Sequence, residues 1–297
     1  MDVVTEDISG FFDLNISSST QSDTTLQNVL DRAAMLGYTT VAVNVTADLD
    51  KLETVTSKKK KMRKAAPSAE EAAALTDGFP DPGAITFTAP VCPRTGRRMR
   101  VLKRVTLEFT GQGDLSRIGR STNLKKFDLL AVQPTTQAAF NVACQTLSVD
   151  IICVDPASFR GFMLNRKLAG LAARRGVVVE LVYAPALSAG SVRRQLLLTA
   201  LTLTNITNGK NMIISSGACH EHQLRGPHDV PYVAELMGLS PAAAKASVST
   251  LAKSTVIHAV GRNRTGFCMA QLLPDSGESR PGSAGVTPAK KRKTAAC

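Results

Sequence analysis

Cys219, His220, Glu221 and His222 form the run most like a metal-ligand cluster, and a divalent ion is what such side chains would hold. A metal-dependent phosphoesterase, however, draws its ligands from several strand ends. The chain has only four histidines, the other two being His228 and His258. Asp13 lies too early in its strand pattern to be assigned as a ligand. No nucleophile–base pair stands out, and neither a G-x-S-x-G elbow nor a G-x-G-x-x-G loop occurs. Gly226-Pro227 reads as a turn, without a phosphate-loop pattern beside it. The histidines are therefore read as polar loop residues, and no catalytic residue, metal or cofactor is assigned.

The second chemistry on offer is anion binding. Arg193 and Arg194 fall in the first turn of an expected helix that Ser191 would cap. Cations there oppose the helix dipole, at a few tenths to about 1 kcal/mol each. A phosphate held by helix amides and arginine forks offsets that cost. The plainer alternative is that both simply point into solvent. Arg160, Arg225, Arg262 and Arg264 likewise follow expected strands, so these six arginines form the candidate polyanion-binding set. Lys103, Arg104 and Lys210 enter their strands from the opposite end. Arg174 and Arg175 close a helix, where the dipole favours them, and read as structural.

Charge distribution supports a polyanion. The net charge is +12, and residues 84–273 alone carry +14, so the excess lies in the part expected to fold. With no Trp and three Tyr, the chain offers little stacking platform for single strands. Recognition of folded RNA or of a duplex by shape and backbone stays open. The acidic N-terminus lacks an apolar signal core, and Leu196–Leu203 is too short to span a bilayer. Without a secretory signal, a reducing, intracellular setting is expected.

The elements that would position these groups alternate strand and helix. Strands are expected at 11–16, 40–45, 103–109, 127–132, 150–154, 177–183 and 211–215, and 256–260 reads as a final strand. Helices are expected over Leu26–Leu36, 136–147, 163–175, 192–208, 230–237 and 241–251, the first ended by Gly37. The fold class is thus α/β, a TIM-like barrel of seven to eight βα units, with a doubly wound sheet as the alternative. Residues 1–47 form the first βαβ part and 84–273 the remainder of the barrel. Between them, 48–83 reads as a flexible basic and Ala/Glu insertion that includes Lys58–Lys61. Residues 274–297 read as a disordered basic tail.

Several segments together carry a family resemblance. They are Phe12-Asp13-Leu14-Asn15, Leu36-Gly37-Tyr38, Val41-Ala42-Val43-Asn44, the run Glu180 to Ala186, Arg193-Arg194, Gly209-Lys210-Asn211, Ile213 to Ser216, and the run Leu224 to Val230. In their order and spacing, from about residue 10 to 265, they resemble the thirty-kilodalton protein subunit of eukaryotic and archaeal ribonuclease P. The resemblance implies a TIM-like barrel that binds ribonuclease P RNA and pairs with a small α/β protein subunit and other particle proteins. The holoenzyme would remove the 5′ leader from precursor tRNA, with catalysis by the RNA and its metal ions rather than by this chain alone. It also implies a share in ribonuclease MRP, through MRP RNA, and so in ribosomal RNA processing. The lysine-rich insertion departs from the compact family pattern. Either it or the run Lys290–Lys293 would serve as an RNA-binding arm or a nuclear-localisation signal, which places the chain in the nucleus and nucleolus. Two other functions compete: a metal-dependent phosphoesterase on the same barrel, requiring bound metal and RNA-free turnover, and a protein scaffold whose cations meet an acidic partner.

Overall fold

The computed structural model describes residues 9–18, 23–49, 78–111, 115, 118–119, 121–155 and 165–265. Seven strands form one sheet, all parallel: β1 (Phe12–Ser17), β2 (Thr40–Asp48), β3 (Arg100–Phe109), β4 (Leu129–Pro134), β5 (Ile151–Cys153), β6 (Val178–Val182) and β7 (Met212–Ser215). Their spatial order equals their chain order, which is the order of a barrel; a doubly wound sheet would reverse it at a switch point.

Eight α-helices are described around this sheet: α1 (Asp23–Leu36), α2 (Gln137–Gln145), α3 (Arg166–Arg174), α4 (Ala184–Ser188), α5 (Gly190–Thr207), α6 (Val230–Leu236), α7 (Pro241–Ser247) and α8 (Thr250–Thr265). Local chemistry marks several ends. Gly37 takes φ +102° after α1, as a glycine stop should. Thr136 caps α2, accepting the Ala139 amide at 3.2 Å. For α5 the expected cap is wrong: the helix starts at Gly190, so Ala189 takes the N-cap position and Ser191 already lies inside the first turn.

Strand alternation sorts the apolar residues into layers. Outward residues such as Val105, Leu130, Ile152, Leu181 and Ile214 pack under α2, α5 and α6. Val41, Val43 and Ile16 pack under α1. Inward residues Leu102, Leu129, Ile151, Val178 and Ile213 fill the lower barrel, the end where strands begin.

That floor explains the largest departure from the expected elements. Residues 256–260 are not an eighth strand; they lie in the middle of α8. Thr255-Val256-Ile257 reads locally as β-branched, but Ala252, Val256 and Ala259 recur at helical spacing and pack into the barrel's inward cluster. A strand there would bury alternate residues only and leave the floor open.

The sheet is not closed by a β7–β1 ladder. The seam is joined by the backbone after β7 instead: Gly217 N donates to Asn15 O at 2.7 Å and Ser17 N to Ala218 O at 3.1 Å. Gly217 sits at φ +63°, and a Cβ there would stand 2.1 Å from a Val182 methyl, so glycine is required for this approach.

The expected insertion is narrower at its edges. Asp48 ends β2, while Leu49 and Phe79 are buried in the core. Residues 50–77, with Lys58–Lys61, and 266–297, with Lys290–Lys293, lie outside the described residues. No helix among the described residues is long and apolar enough to cross a membrane.

Candidate functional site

Above the apolar floor, the middle of the barrel is polar. Arg104 projects from β3 into the interior with 0% exposure and forks onto Glu180 of β6, Nη1 donating to Oε1 at 2.6 Å and Nη2 to Oε2. Nη1 also donates to Leu14 O at 2.6 Å, and Nη2 to Cys153 Sγ at 3.0 Å. Glu180 further accepts Ser215 Oγ at 2.7 Å, the Asn15 amide at 3.3 Å and the Cys153 thiol at 3.2 Å. A chain of Thr106 to Asn44 at 2.8 Å and Asn44 to Asn15 at 3.1 Å completes the layer.

The electrostatics of this layer are self-contained. Burial pushes the Glu180 carboxyl up, but the Arg104 charge and hydrogen bonds outweigh it and hold the group below the usual carboxylate range. Cys153 is pushed well above an ordinary thiol by burial and by the neighbouring Glu180 charge, so it is a neutral donor and not a nucleophile. Arg104 does not enter its strand from the N-terminal end: β3 begins at Arg100, which places Arg104 mid-strand as an interior ion-pair partner and not a surface cation.

The mouth lies at the strands' C-terminal ends, where barrel enzymes keep their active sites. It is a cavity of about 410 Å³ whose polar lining includes Asn15, Asn44, Thr106, Gln133, Asp155 and Gln195. Amides and hydroxyls dominate, and Glu180 beneath them is engaged by Arg104. Among the described residues no three His, Cys, Asp or Glu side chains gather in a metal-holding group. His220 and His222 stack on each other, ring centroids 5.4 Å apart, in the exposed loop after β7.

Cations border this mouth, whose lining holds one carboxylate, Asp155. Val192 and Gln195 of α5 line it, and between them Arg193 and Arg194 stand exposed. Arg193 Nε donates to Ala186 O at 2.9 Å, which anchors the side chain at one nitrogen. Arg225 is half-buried on the seam segment, with its guanidinium turned onto His222 O and Leu224 O at 2.9 and 3.0 Å. Its backbone is clamped by two tyrosines. Tyr38 Oη donates to Arg225 O at 3.0 Å, and Arg225 N donates to Tyr183 Oη at 3.0 Å. Because Tyr183 immediately precedes α4, the same contact links the Arg225 loop to the segment leading into α5.

Beside these tyrosines Asp13 is buried at the seam. Oδ1 accepts the amides of Ser216 at 3.0 Å and Asn15 at 3.2 Å, while Oδ2 has no hydrogen bond. Burial raises its carboxyl from 3.8 to about 6, against the pull of those hydrogen bonds. Tyr38 is pushed upward by burial and then by the Asp13 charge.

The six candidate arginines therefore divide. Arg193, Arg194 and Arg225 share the strand C-terminal side. Arg160 lies outside the described residues, and so does the side chain of Arg264, although its backbone belongs to α8. Arg262 belongs to the opposite end. With the final strand replaced by α8, its side chain turns to Asp150 just before β5, Nε donating to both carboxylate oxygens at 3.1 Å. His258, one helical turn earlier, meets the same carboxylate at 2.9 Å and Arg175 O at 3.0 Å. Arg175 also donates to Ala143 O, Cys144 O and Leu147 O, the structural role expected of it.

Sequence reasoning missed the Arg104–Glu180 pair in the barrel and, separately, Asp150 as the partner of Arg262 and His258. A signal existed: Arg104 has the parity of Leu102 and Thr106, and Glu180 that of Val178 and Val182. In a barrel strand one parity faces inward, so an ion pair was predictable once the barrel was assumed.

The family model described as RNase P subunit p30 matches residues 10–264. The Ribonuclease P protein subunit p30 of Mus musculus is 30% identical over 287 residues, covering 96% of this chain and 99% of that protein. The Ribonuclease P/MRP protein subunit RPP1 of Saccharomyces cerevisiae is 22% identical over 256 residues, covering 83% and 76%. A chain in the cryo-EM structure of archaeal ribonuclease P with mature tRNA shares the fold at TM-score 0.56 and 14% identity, covering 92% of this chain and 99% of that one.

Proposed function

Because this chain belongs to the RNase P subunit p30 family and is a protein subunit of ribonuclease P, we propose that it binds the RNA of that particle through Arg193, Arg194 and Arg225 and leaves the chemistry to the RNA. One observation carries this reading. At the place where a barrel enzyme keeps its reactive groups, Arg104 neutralises Glu180, while cations stand exposed beside the mouth. Arginine forks suit phosphates, and such contacts position an RNA without reading its sequence.

In this role the protein supports removal of the 5′ leader from precursor tRNA. By analogy with the yeast relative's name, it also enters the MRP particle and ribosomal RNA processing. Its protein partner is a small α/β subunit of the same particle, and the lysine runs 58–61 and 290–293 direct it to the nucleus and nucleolus.

Arg193→Glu with Arg194→Glu tests the rim. The expected outcome is RNA affinity reduced at least tenfold with an unchanged urea midpoint. Sequencing the RNA that accompanies the tagged protein from cells is the complementary test. A folded double variant that binds and assembles like the parent removes the rim from the mechanism.

A further inference from the structure

A large cleft lies at the other end of the barrel. It measures about 950 Å³ and is lined by Gly10, Thr39, Thr40, Arg97, Arg98 and Arg100 among others. Its outer wall is a β-hairpin between β2 and β3. Val91 pairs with Arg98, Cys92 N donates to Arg97 O at 2.9 Å, and Gly96 N donates to Cys92 O at 2.9 Å. Cys92 and Met99 are buried and root the hairpin, and Met99 N donates to Pro90 O at 2.8 Å. The tip is the reverse: residues 93–98 are all exposed.

The charge on this hairpin is one-sided. Arg94, Arg97, Arg98 and Arg100 fall within seven residues, and no Asp or Glu occurs from Pro82 to Leu107. Among the described residues none of Arg94, Arg98 and Arg100 has an ion-pair partner, and Arg100 Nη1 is covered without a hydrogen bond. Concentrating guanidinium groups in this way costs self-repulsion, which a polyanion relieves. No aromatic side chain lies on the tip from 93 to 98, so stacked bases have no platform and the phosphate backbone is what the surface suits.

Given that the chain is an RNA-binding subunit, on which this inference rests, we infer that the hairpin Val91–Arg98, with Arg100, is a second RNA-backbone contact at the barrel's N-terminal end. β3 runs from beside the hairpin at Arg100 to Phe109 at the mouth end. At about 3.3 Å per residue the two ends are about 30 Å apart. The rim and the hairpin therefore hold separate RNA segments, and the barrel is a spacer between them.

The test uses the full chain and a transcript of ribonuclease P RNA, with binding measured across a salt series. Arg94→Gln with Arg97→Gln and Arg98→Gln should flatten the slope of log K against log salt by about 2–3. The corresponding lysine variant should keep the slope, because the charge remains. Arg193→Gln with Arg194→Gln should flatten it independently, and the two sets should add. A folded glutamine variant with the parental slope and affinity, beside a weakened rim variant, overturns the hairpin contact and leaves the proposed function standing. No salt-dependent binding by the parent chain sinks both. A hairpin variant that keeps its RNA slope but drops out of the assembled particle assigns the hairpin to an acidic protein and overturns the RNA contact.

Discussion

Glu180→Gln is the sharpest probe of the barrel's interior. The substitution preserves shape and leaves Arg104 fully buried without its counter-charge. It also places an amide NH₂ against one guanidinium nitrogen. Breaking a buried pair by removing one partner costs about 3–5 kcal/mol. Against a total stability of about 5–15 kcal/mol for a domain, that is a large share. With an m-value of about 3 kcal/mol per molar urea at this size, the midpoint falls by about 1–1.7 M. Replacing both residues with apolar ones, Arg104→Met and Glu180→Leu, should recover most of the loss, since no charge is then left unpaired. The same double variant, assembled into the particle, should still support leader removal, because the pair holds the barrel and does not meet substrate. Urea titration of the singles and the double gives the coupling directly. A Glu180→Gln cost under about 1 kcal/mol, or a double variant as unstable as the summed singles, refutes the reasoning. The pH sign is fixed as well. The folded carboxyl lies below its ordinary 4.5, so its stabilisation is present above that value and is lost as pH falls through the lower, folded value.

Asp13 behaves in the opposite sense. Its folded carboxyl is raised from 3.8 to about 6, so the native state binds the extra proton and stability falls as pH rises through that window. Asp13→Asn should remove this slope and stabilise the protein by about 1–3 kcal/mol at pH 8, as read from thermal melts at several pH values. Arg262→Ala should cost about 2–4 kcal/mol, because Asp150 is fully buried and loses its guanidinium partner. The salt slope of RNA binding should not change in that variant, and a slope reduced by about one would return Arg262 to the RNA-binding set.

What the sequence made legible follows from how locally each feature is determined. β6 and β7 are short apolar runs bounded by turns, and α1 carries an apolar stripe with a glycine stop, so their patterns need no tertiary context. α8 does, because its role is to fill a hole that only the assembled barrel creates. That is why Thr255-Val256-Ile257 misleads when read alone. Ser191 shows the same limit at smaller scale: it is a good capping residue two positions too late, because Gly190 already begins the helix. Arg193 and Arg194 were legible as cations after a strand. Arg262 was not legible as Asp150's partner, since that contact spans two elements whose geometry depends on the missing floor. The hairpin arginines were not singled out in the sequence, because their gathering around one cleft required the fold of residues 84–100.

The seam carries a consequence for the chain's birth. The bond from Ser216 to Asp13 spans 203 residues, and Phe12 N is held by Val248 O at 2.9 Å. The first strand therefore has no partner on its free side until most of the protein has been synthesised. At about 5–20 residues per second that wait is roughly 10–40 s, during which an unpaired edge and an unplugged apolar interior stay exposed. A ribosome-stalled chain ending before α8 should bind chaperones that the finished protein does not.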